Sequence, residues 1–399
     1  MKPLVLSGRA ANTSPGLEQL GRRLIRVREF SYDGLGELSP FDAPLVAQQD
    51  QIDWGSNFGS DLIVLRAAVD QTEEIRKPFV RLNRDFDYLA NGDLISVDGR
   101  TGRLRTIYRR ASRYNFFLIT ERCNHLCLMC SQPPKDVNDD WILEEVCEAL
   151  PLIDPSTPTL GFTGGEPLTN RDRFIEMLRI AKDALPSTGL HVLTNGRAFA
   201  DPQVAKAWAD VAHPNLTAGI PVYSAVDYLH DHVVQSKGAF DETLLGILRL
   251  KNLGQRIEIR VVLHALTAPR LVETCEWIAR NLPFVDHVAL MGLENTGYAI
   301  ANDSQLWIDP MDYQASLTAG VLALRAARVR TSIYNLPLCL IDESVRSHAV
   351  QSISDWKNAY VEECGSCDER PRCAGFFSSG RPKFSRGIRP IVGEPQIAV

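Results

Sequence analysis

From Tyr114 onward the sequence alternates between short apolar runs and longer helical patterns, and this alternation constrains the fold more than any other feature. Parallel strands need crossover connections, which are usually helices, so the pattern predicts an α/β protein with a parallel sheet and helices outside it. Barrels of this class place functional residues on the loops that follow the strands. The predicted strands are residues 115–120, 159–163, 191–194, 216–223, 257–264 and 287–291, and the predicted helices are residues 141–150, 171–185, 241–253 and 269–282.

Three cysteines with C-x3-C-x2-C spacing, Cys123, Cys127 and Cys130, follow the first predicted strand. Three thiolates from one loop can hold three corners of a four-iron cluster and leave the fourth iron open to a ligand. The alternative is a structural zinc site. Such sites usually close with four protein ligands, and the only obvious fourth ligand is His125, between two of the cysteines. The triplet therefore favours an iron–sulfur site with an open iron.

The next two strands are also followed by motifs suited to ligand binding. Gly164-Gly165-Glu166-Pro167 follows the second strand, and Thr194-Asn195-Gly196 follows the third. Glycines permit close backbone approach, and the glutamate supplies a hydrogen-bond acceptor. Each motif alone could be an ordinary polar loop before a helix. Their order along the chain, one β-α unit after another from the cysteines, favours one shared site.

These motifs together resemble the radical SAM superfamily. The resemblance implies a partial (β/α)6 TIM-like barrel in which a 4Fe-4S cluster binds S-adenosylmethionine (SAM). It also implies that SAM is cleaved reductively to a 5′-deoxyadenosyl radical, which abstracts a substrate hydrogen.

The resemblance further implies which residues contact SAM. The GGEP motif would bind the amino group, and the Thr194-Asn195 turn would lie near the ribose and methionine. Arg260 is a candidate for the carboxylate, although a structural ion pair explains a charge in a buried strand equally well. Met129 could replace the usual aromatic residue against the adenine, or be a core methionine. In full, the predicted contacts are Met129, Gly164, Gly165, Glu166, Pro167, Thr194, Asn195, Ser224, Arg260 and Leu293.

A second group of cysteines lies near the C-terminus, at Cys339, Cys364, Cys367 and Cys373. Four thiolates can ligate one auxiliary 4Fe-4S cluster or one structural zinc ion. Beside a radical SAM triplet we favour the cluster, because the arrangement resembles the twitch domains of SPASM-type peptide maturases. The predicted segments are a β-rich N-terminal extension (1–110), the barrel (111–310) and a cysteine-rich auxiliary-cluster domain (311–399).

The N-terminal extension contains β-like runs around Asp-Gly turns at residues 94–97 and 104–108, a strand-like run at 61–65 and a helix-like pattern at 17–27. It could receive a peptide as an added strand.

The net charge of −6 gives no general attraction to nucleic acid or anionic membrane. No apolar run is long enough to span a bilayer, and nine cysteines in such a chain indicate metal or redox chemistry. The protein is therefore predicted to be cytoplasmic.

Several stretches resemble the C-type radical SAM maturase of His-Xaa-Ser peptide systems, namely residues 120–124, 130–135, 356–358 and 375–377. That resemblance implies modification of a ribosomally made precursor peptide, for example as a side-chain cross-link, with electrons from a flavodoxin- or ferredoxin-type donor. The alternatives are a radical SAM enzyme acting on a small metabolite or RNA, and a non-catalytic zinc or iron–sulfur protein. The sequence names no acid–base residue.

Overall fold

Two sheets of different type make up most of the fold, and residues 109–115 connect them. The structure is a computed structural model that describes residues 5–29, 38–47, 60–69, 75–379 and 383–393. Parts of the predicted segments 1–110 and 311–399 lie outside these residues.

The strands of the N-terminal sheet are β1 (Ser7–Arg9), β2 (Asn12–Thr13), β3 (Arg22–Glu29), β4 (Asp42–Val46), β5 (Ile63–Leu65), β6 (Phe79–Arg81), β7 (Leu94–Asp98) and β8 (Arg103–Tyr108). Those of the central sheet are β9 (Phe116–Thr120), β10 (Thr159–Gly164), β11 (Gly189–Leu193), β12 (Leu216–Pro221), β13 (Arg256–Leu263), β14 (His287–Gly292) and β15 (Thr331–Tyr334). A short C-terminal pair is β16 (Asn358–Ala359) and β17 (Phe376–Phe377). The helices are α1 (Asp140–Ala149), α2 (Arg171–Ala184), α3 (Pro202–Asp210), α4 (Asp227–Val234), α5 (Ala239–Asn252), α6 (Leu271–Asn281), α7 (Tyr298–Ala301), α8 (Asp303–Leu306) and α9 (Pro310–Ala326).

The central sheet contains seven parallel strands in sequential order, from β9 at one edge to β15 at the other. Right-handed crossovers between strands that are neighbours in both sequence and space all pass over the same face of a sheet. The residues on that face, such as Phe162 and Val192, are fully buried in the core. The alternate residues, such as His191 and Met291, are only partly buried. They form the opposite face of the sheet, which we call the inner face.

The predicted α/β architecture with a parallel sheet is confirmed. The six predicted strands and the four predicted helices lie close to their expected bounds. The seventh strand, β15, is four residues long, which is too short for its pattern to indicate a strand. The helix α9 and the parallel strand β15 lie beyond residue 310, where the barrel was expected to end. That the barrel contains six β-α repeats therefore stays a prediction.

Local capping explains where several helices begin. Asp201 precedes α3, and its side chain accepts a hydrogen bond from the backbone N–H of Gln203 at 2.8 Å. Asp309 does the same for α9 through the N–H of Met311 at 3.0 Å. Both helices start with proline, whose missing N–H costs nothing in the first turn. None of the helices in the described residues combines the length and hydropathy needed to cross a membrane.

The N-terminal sheet closes on itself through its first two strands. Its order is β1-β8-β7-β3-β4-β5-β6-β2, so its two edge strands, β1 and β2, are consecutive in sequence. Between them the N–H of Ala10 bonds the carbonyl of Gly102, and that of Ala11 bonds the carbonyl of Arg81. A core of aliphatic side chains with Phe86 packs beneath the sheet. The described strands therefore form a small closed barrel whose interior is filled by side chains, and strand addition to an open edge is not supported.

One local prediction in this region is wrong, and two others agree with the structure. Residues 17–27 do not form a helix: Leu17–Leu20 is a single 3-10 turn, and β3 starts after Gly21, whose φ is 62°. Because β3 pairs with β7 on one side and with β4 on the other, tertiary pairing overrides the local pattern. The predicted run at 61–65 contains β5, and the runs at 94–97 and 104–108 are the antiparallel pair β7–β8.

The N-terminal barrel contacts the central domain mainly through α1. The guanidinium carbon of Arg22 lies 3.4 Å from the ring centroid of Trp141, and that of Arg105 lies 5.0 Å from it. One turn further along the helix, the buried carboxylate of Glu145 accepts hydrogen bonds from Arg105 and from Ser96 of β7. The barrel is therefore attached to the helix that directly follows the cysteine loop.

Candidate active site

The three N-terminal cysteines lie on one loop directly after β9. Burial raises the pKa of Cys123 to about 11, and burial and the neighbouring Cys130 and Cys123 sulfurs raise the pKa of Cys127 well above its usual range. The Cys123 sulfur also accepts the backbone N–H of His125 at 3.4 Å. These thiols are therefore protonated in the metal-free protein, and a metal ion that binds them must displace their protons. Three cysteines on one loop supply the ligand number of an iron–sulfur cluster with one open iron, but in the described residues their side chains are not arranged as a group that could hold a metal ion.

Asp139, at the start of α1, fixes the beginning of this loop. Its buried carboxylate accepts hydrogen bonds from Thr120 Oγ1 at 2.9 Å and from the backbone N–H of Glu121. The guanidinium of Arg122 pairs with it at 2.9 Å and with Asp140 at 2.5 Å. The path of the chain into Cys123 is therefore set by the same helix that carries the N-terminal barrel.

The two glycines of the GGEP motif allow the cysteine loop to lie directly on it. The N–H groups of Gly165 and Glu166 bond the carbonyls of Thr120 and Arg122 at 2.7 and 2.8 Å. A Cβ on Gly164 would overlap the carbonyl of Thr120, and one on Gly165 would overlap that of Arg122. Side chains at these two positions would therefore push the cysteine loop away.

Glu166 connects the GGEP motif to the Thr194-Asn195 turn. It accepts hydrogen bonds from Thr194 Oγ1 at 2.7 Å, the N–H of Asn195 at 2.7 Å and the N–H of Leu168 at 3.0 Å. A carboxylate offers about four acceptor positions, and the described residues occupy three of them. Burial raises the pKa of Glu166, and these hydrogen bonds oppose that rise. The remaining position suits a cationic ligand group, as the predicted contact with the SAM amino group requires.

The other predicted SAM contacts divide into two groups. Asn195 lies at the site, since its side-chain amide donates to Asn124 of the cysteine loop at 2.6 Å. Met129 is buried in an apolar cluster with Tyr223 and the partly buried Leu293. Ser224 and Arg260 use their polar groups elsewhere: the Ser224 hydroxyl accepts the N–H of Val226 at 3.0 Å, and Arg260 pairs with Glu258 at 2.6 Å.

A segment that the sequence did not indicate supports the cysteine loop from the other side. The N–H of Tyr298 bonds the carbonyl of Cys130 at 2.8 Å, and Asn302 donates its side-chain amide to the carbonyl of Leu128 at 2.8 Å. These contacts come from α7 and the residue after it, far along the chain from the cysteines. Because residues 298–302 show no recognisable motif, only the folded structure reveals this contact.

The C-terminal cysteines are near enough to one another for their sulfurs to interact electrostatically, but in the described residues they do not form a group that could hold a metal ion. Burial raises the pKa of Cys339 and Cys373, and the negative charge of nearby sulfurs, Cys364 among them in both cases, adds to the effect. Cys373 accepts the N–H groups of Leu338 and Gly375, each at 3.4 Å. Cys367 accepts the N–H of Ile391 at 3.3 Å, so the C-terminal tail also contributes donors. Backbone donors aimed at sulfur are suited to thiolates that ligate a metal.

A cavity lies between the ends of the central strands and the C-terminal segment. Leu263 and Leu293 line it from the ends of β13 and β14, and Phe376 and Phe377 line it from β17. Lys383 also lines this cavity, where its ammonium lies 5.0 Å from the ring centroid of Trp307. The cavity is lined by Leu293, a predicted SAM contact, and by Leu340, the residue after Cys339.

Residues 117–278 match the family model described as the Radical SAM superfamily. Similar solved structures include SuiB from Streptococcus suis bound to S-adenosylmethionine, with 16% identity, a TM-score of 0.42 and coverage of 55% of this chain and 50% of that chain. Native anSMEcpe with bound AdoMet has 15% identity, a TM-score of 0.42 and coverage of 55% and 63%. Coproporphyrinogen III oxidase (HemN) from Escherichia coli has 12% identity, a TM-score of 0.43 and coverage of 55% and 54%. This chain thus spans about half the length of SuiB. No curated protein matches the chain.

The matched region contains the cysteine loop, the GGEP motif and the Thr194-Asn195 turn, so the family match and the site geometry concern the same residues. A radical SAM domain implies a 4Fe-4S cluster and SAM as cofactors. Residues 117–278 therefore form a radical SAM domain, the kind of domain that holds an iron–sulfur cluster and SAM.

Proposed function

We propose that the protein modifies a ribosomally synthesised precursor peptide by hydrogen abstraction, for example to form a side-chain cross-link. The observation that carries this proposal is the position of two stretches that resemble His-Xaa-Ser peptide maturases. Residues 356–358 and 375–377 lie far apart in sequence, yet β16 and β17 pair Asn358 with Phe377. Gly375, Phe376 and Phe377 line the cavity beside the strand ends. An aromatic-lined cavity at that edge of the sheet suits a peptide side chain.

In this proposal the site residues have distinct tasks. Cys123, Cys127 and Cys130 hold the 4Fe-4S cluster, and Glu166 uses its remaining acceptor position for the SAM amino group. The other SAM contacts, including Ser224, Arg260 and Leu293, stay as predicted from the sequence. When bound, the cluster and SAM together supply a 5′-deoxyadenosyl radical.

Cys339, Cys364, Cys367 and Cys373 hold one auxiliary 4Fe-4S cluster in the proposed arrangement, and zinc is the alternative ligand. The reducing electron comes from an external flavodoxin- or ferredoxin-type donor. The mutual electrostatic influence of these sulfurs supports the proposed division into a partial (β/α)6 barrel and a twitch-like C-terminal domain.

Metal analysis after anaerobic reconstitution tests the cofactor part. The wild type is compared with a triple Cys→Ala variant at residues 123, 127 and 130 and a quadruple Cys→Ala variant at residues 339, 364, 367 and 373. We expect about eight irons in the wild type and about four in each variant, with SAM cleavage lost in the triple variant. About four irons with about one zinc, the zinc lost only in the quadruple variant, would exclude the auxiliary cluster.

The substrate part is tested with a synthetic peptide containing His-Xaa-Ser repeats. We expect the peptide to accelerate the formation of 5′-deoxyadenosine and to lose mass in whole hydrogens, as a cross-link requires. A matched peptide with the repeat residues scrambled is the control. Stimulation by RNA or by small metabolites in place of the peptide would support the alternative substrate class and exclude this proposal.

A further inference from the structure

The cavity beside the strand ends has an inner wall and a mouth that differ in exposure. Its open space, including the mouth, is about 720 Å³, which is within the usual range for a pocket that binds a small ligand. The lining residues that are buried in the protein are Leu263, Tyr313, Leu336 and Leu340. Those that are half-buried or exposed include Trp307, Phe376, Phe377 and Lys383. The first group therefore forms the inner wall, and a ligand that enters the cavity passes the aromatic rings of the second.

Tyr313 places an unpartnered hydroxyl on the inner wall. The residue lies on α9 and is 3% exposed, and its hydroxyl has no hydrogen-bond partner among the described residues. A buried tyrosine hydroxyl usually has such a partner, because leaving the group unpaired costs free energy. The oxygen still has accessible surface, and the cavity is the open space that Tyr313 borders. The hydroxyl is therefore available to a group bound in the cavity.

The Tyr313 hydroxyl is a neutral group that can both donate and accept. Burial and the nearby carboxylate of Asp309 raise the pKa of Tyr313 above its usual range, so the hydroxyl stays protonated at neutral pH. The Asp309 carboxylate has partners of its own, since it accepts hydrogen bonds from the Ser385 hydroxyl and from the N–H of Arg386. A ligand would therefore meet the hydroxyl on this part of the wall rather than an unpaired carboxylate.

The charges around the cavity are paired with one another, so the cavity suits an uncharged ligand. Among the described lining residues only Lys383 is charged, and its ammonium bonds the carboxylate of Asp303. In the loop after β14, both carboxylate oxygens of Glu294 lie 3.1 Å from Lys357 Nζ, and Ser379 Oγ donates to one of them at 2.8 Å. A charged group in the cavity would lose its hydration without meeting an unpaired opposite charge.

These features together define the shape and polarity of the ligand. It is apolar along most of its length, because leucine and aromatic side chains form the walls. It is flat enough to pack against the aromatic rings at the mouth, and it has one hydrogen-bonding group at the end that reaches the inner wall. A tyrosine side chain has all three properties. Phenylalanine would fill the same space but leave the Tyr313 hydroxyl unpartnered, and a buried hydrogen-bonding group discriminates against such an analogue.

We propose that the cavity receives a tyrosine side chain of the substrate peptide and that Tyr313 is the specificity residue that hydrogen-bonds its hydroxyl. This inference rests on the proposed peptide modification and names the side chain that the peptide inserts. Leu293, a predicted SAM contact, lines the same cavity. A tyrosine held in the cavity would therefore anchor the peptide beside the predicted SAM site.

Calorimetric titration of the reconstituted full chain with small aromatic probes tests what the cavity binds. In this series p-cresol represents the tyrosine side chain and toluene the phenylalanine side chain, and p-toluate and benzylammonium are charged analogues. We expect p-cresol to bind about 3- to 10-fold more tightly than toluene, as one hydrogen bond provides, and both charged probes to bind more weakly than p-cresol. No binding of p-cresol, equal binding of p-cresol and toluene, or tighter binding of either charged probe would overturn the proposal.

Tyr313→Phe tests which hydroxyl binds the probe. We expect the affinity of this variant for p-cresol to fall about 3- to 10-fold, whereas its affinity for toluene stays within about twofold of wild type. Because the hydroxyl has no partner among the described residues, the midpoint of thermal unfolding should not fall. Tyr228→Phe makes the same change at a tyrosine that is 66% exposed on α4, and it should bind both probes as the wild type does. An unchanged affinity of Tyr313→Phe for p-cresol would contradict the assignment.

Competition with the peptide tests whether the cavity is part of the peptide site. With a His-Xaa-Ser repeat peptide that has tyrosine at Xaa, p-cresol should raise the KM of the peptide for the formation of 5′-deoxyadenosine. Binding of p-cresol without such competition would overturn the inference and leave the peptide modification standing. If the wild type modifies no peptide, the proposed function fails by itself. The probe titrations then still decide whether Tyr313 makes the cavity selective for a phenol.

Discussion

At Gly165 the requirement for glycine is steric, since a methyl group there would overlap the carbonyl of Arg122 in the cysteine loop. We expect Gly165→Ala to fold, because Gly165 lies in a loop, but to displace Cys123 from its position relative to Glu166. SAM cleavage should fall at least about tenfold, which corresponds to about 1.4 kcal/mol. Gly393→Ala is the control, because a Cβ there would meet only an Asp368 oxygen at 3.6 Å. Equal rates in the two variants would contradict this account.

His264 makes the stability of the protein depend on pH. It is completely buried at the end of β13, where its Nδ1 accepts the N–H of Leu266 at 3.3 Å, and burial lowers its pKa to about 4. In the unfolded chain the pKa is about 6.5. Between these values the unfolded state binds more protons, so the free energy of unfolding decreases as the pH falls, by at most about 1.4 kcal/mol per pH unit.

His264→Asn keeps an acceptor near Leu266 and removes the titration. We expect the variant to be less stable than wild type at pH 7.5 and the difference to narrow as the pH is lowered to 5.5, measured by thermal unfolding of reconstituted protein. Leu263→Ala creates a cavity in the same strand at a cost of about 2–5 kcal/mol without removing an imidazole. It should keep a constant difference from wild type. Parallel curves for all three proteins would count against the role of His264.

Functional residues that form a short contiguous motif can be predicted from the sequence. Clusters of residues that come from different strands cannot. The cysteine triplet and Glu166 stood out because their spacing is itself the signal. His191, Glu258 and His287 each look like an isolated polar residue in an apolar strand. Only the register of β11 to β14 brings them together. In the same way, the sequence could identify Arg260 as a buried charge but not its partner.

Among the elements, α7 and the residue that follows it contact the cysteine loop directly. Asn302 donates to the carbonyl of Leu128, which lies between two of the cysteines. Asn302→Ala would leave that partly buried carbonyl without its partner, at a cost of about 1–3 kcal/mol. We expect the reconstituted variant to lose iron to a chelator several-fold faster than wild type.

Asn281→Ala is the matched control for Asn302→Ala. It also removes an amide that donates to a backbone carbonyl, that of Trp277, but in an exposed helix end away from the cysteines. Its rate of iron loss should equal that of wild type. If both asparagine variants lost iron at the same rate, the contact of Asn302 with the loop would have no part in holding the cluster.

Element prediction from the sequence worked best where a segment was long and buried on a sheet. The six central strands and four helices followed from periodicity, because parallel strands covered by helices are continuous apolar runs. The prediction of a helix at residues 17–27 was wrong because the same spacing of apolar residues fits both the apolar stripe of a helix and the buried side of β3. Pairing of β3 with two neighbours decides between the two, and no local pattern contains that information.

For the whole molecule, residues 109–115 and α1 connect the three parts. Arg109 pairs with Asp355 of the C-terminal segment at 2.9 Å, and the Tyr114 hydroxyl donates to the carbonyl of Gln351 at 2.5 Å. Arg110 pairs with Asp154 of the central domain at 2.5 Å. The N-terminal barrel, the cysteine loop and the C-terminal cysteines are therefore joined by direct contacts. The stacking of Arg22 on Trp141 joins only the N-terminal barrel and α1, so it is the contact best suited to measuring how the barrel is attached.

A double-mutant cycle with Arg22→Ala and Trp141→Ala measures that attachment. A guanidinium stacked on a partly exposed tryptophan is worth about 0.5–1 kcal/mol, so the free energies of unfolding in guanidinium chloride should be non-additive by that amount. Arg22→Ala combined with Tyr228→Ala, an aromatic residue 66% exposed on α4, should be additive. If the changes in the free energy of unfolding were additive in both pairs, the stacking would not hold the barrel in place. The hydrogen bonds from Arg105 and Ser96 to Glu145 would then be the main attachment. The barrel would then depend on a buried polar contact, and Glu145→Gln should loosen it where Trp141→Ala does not.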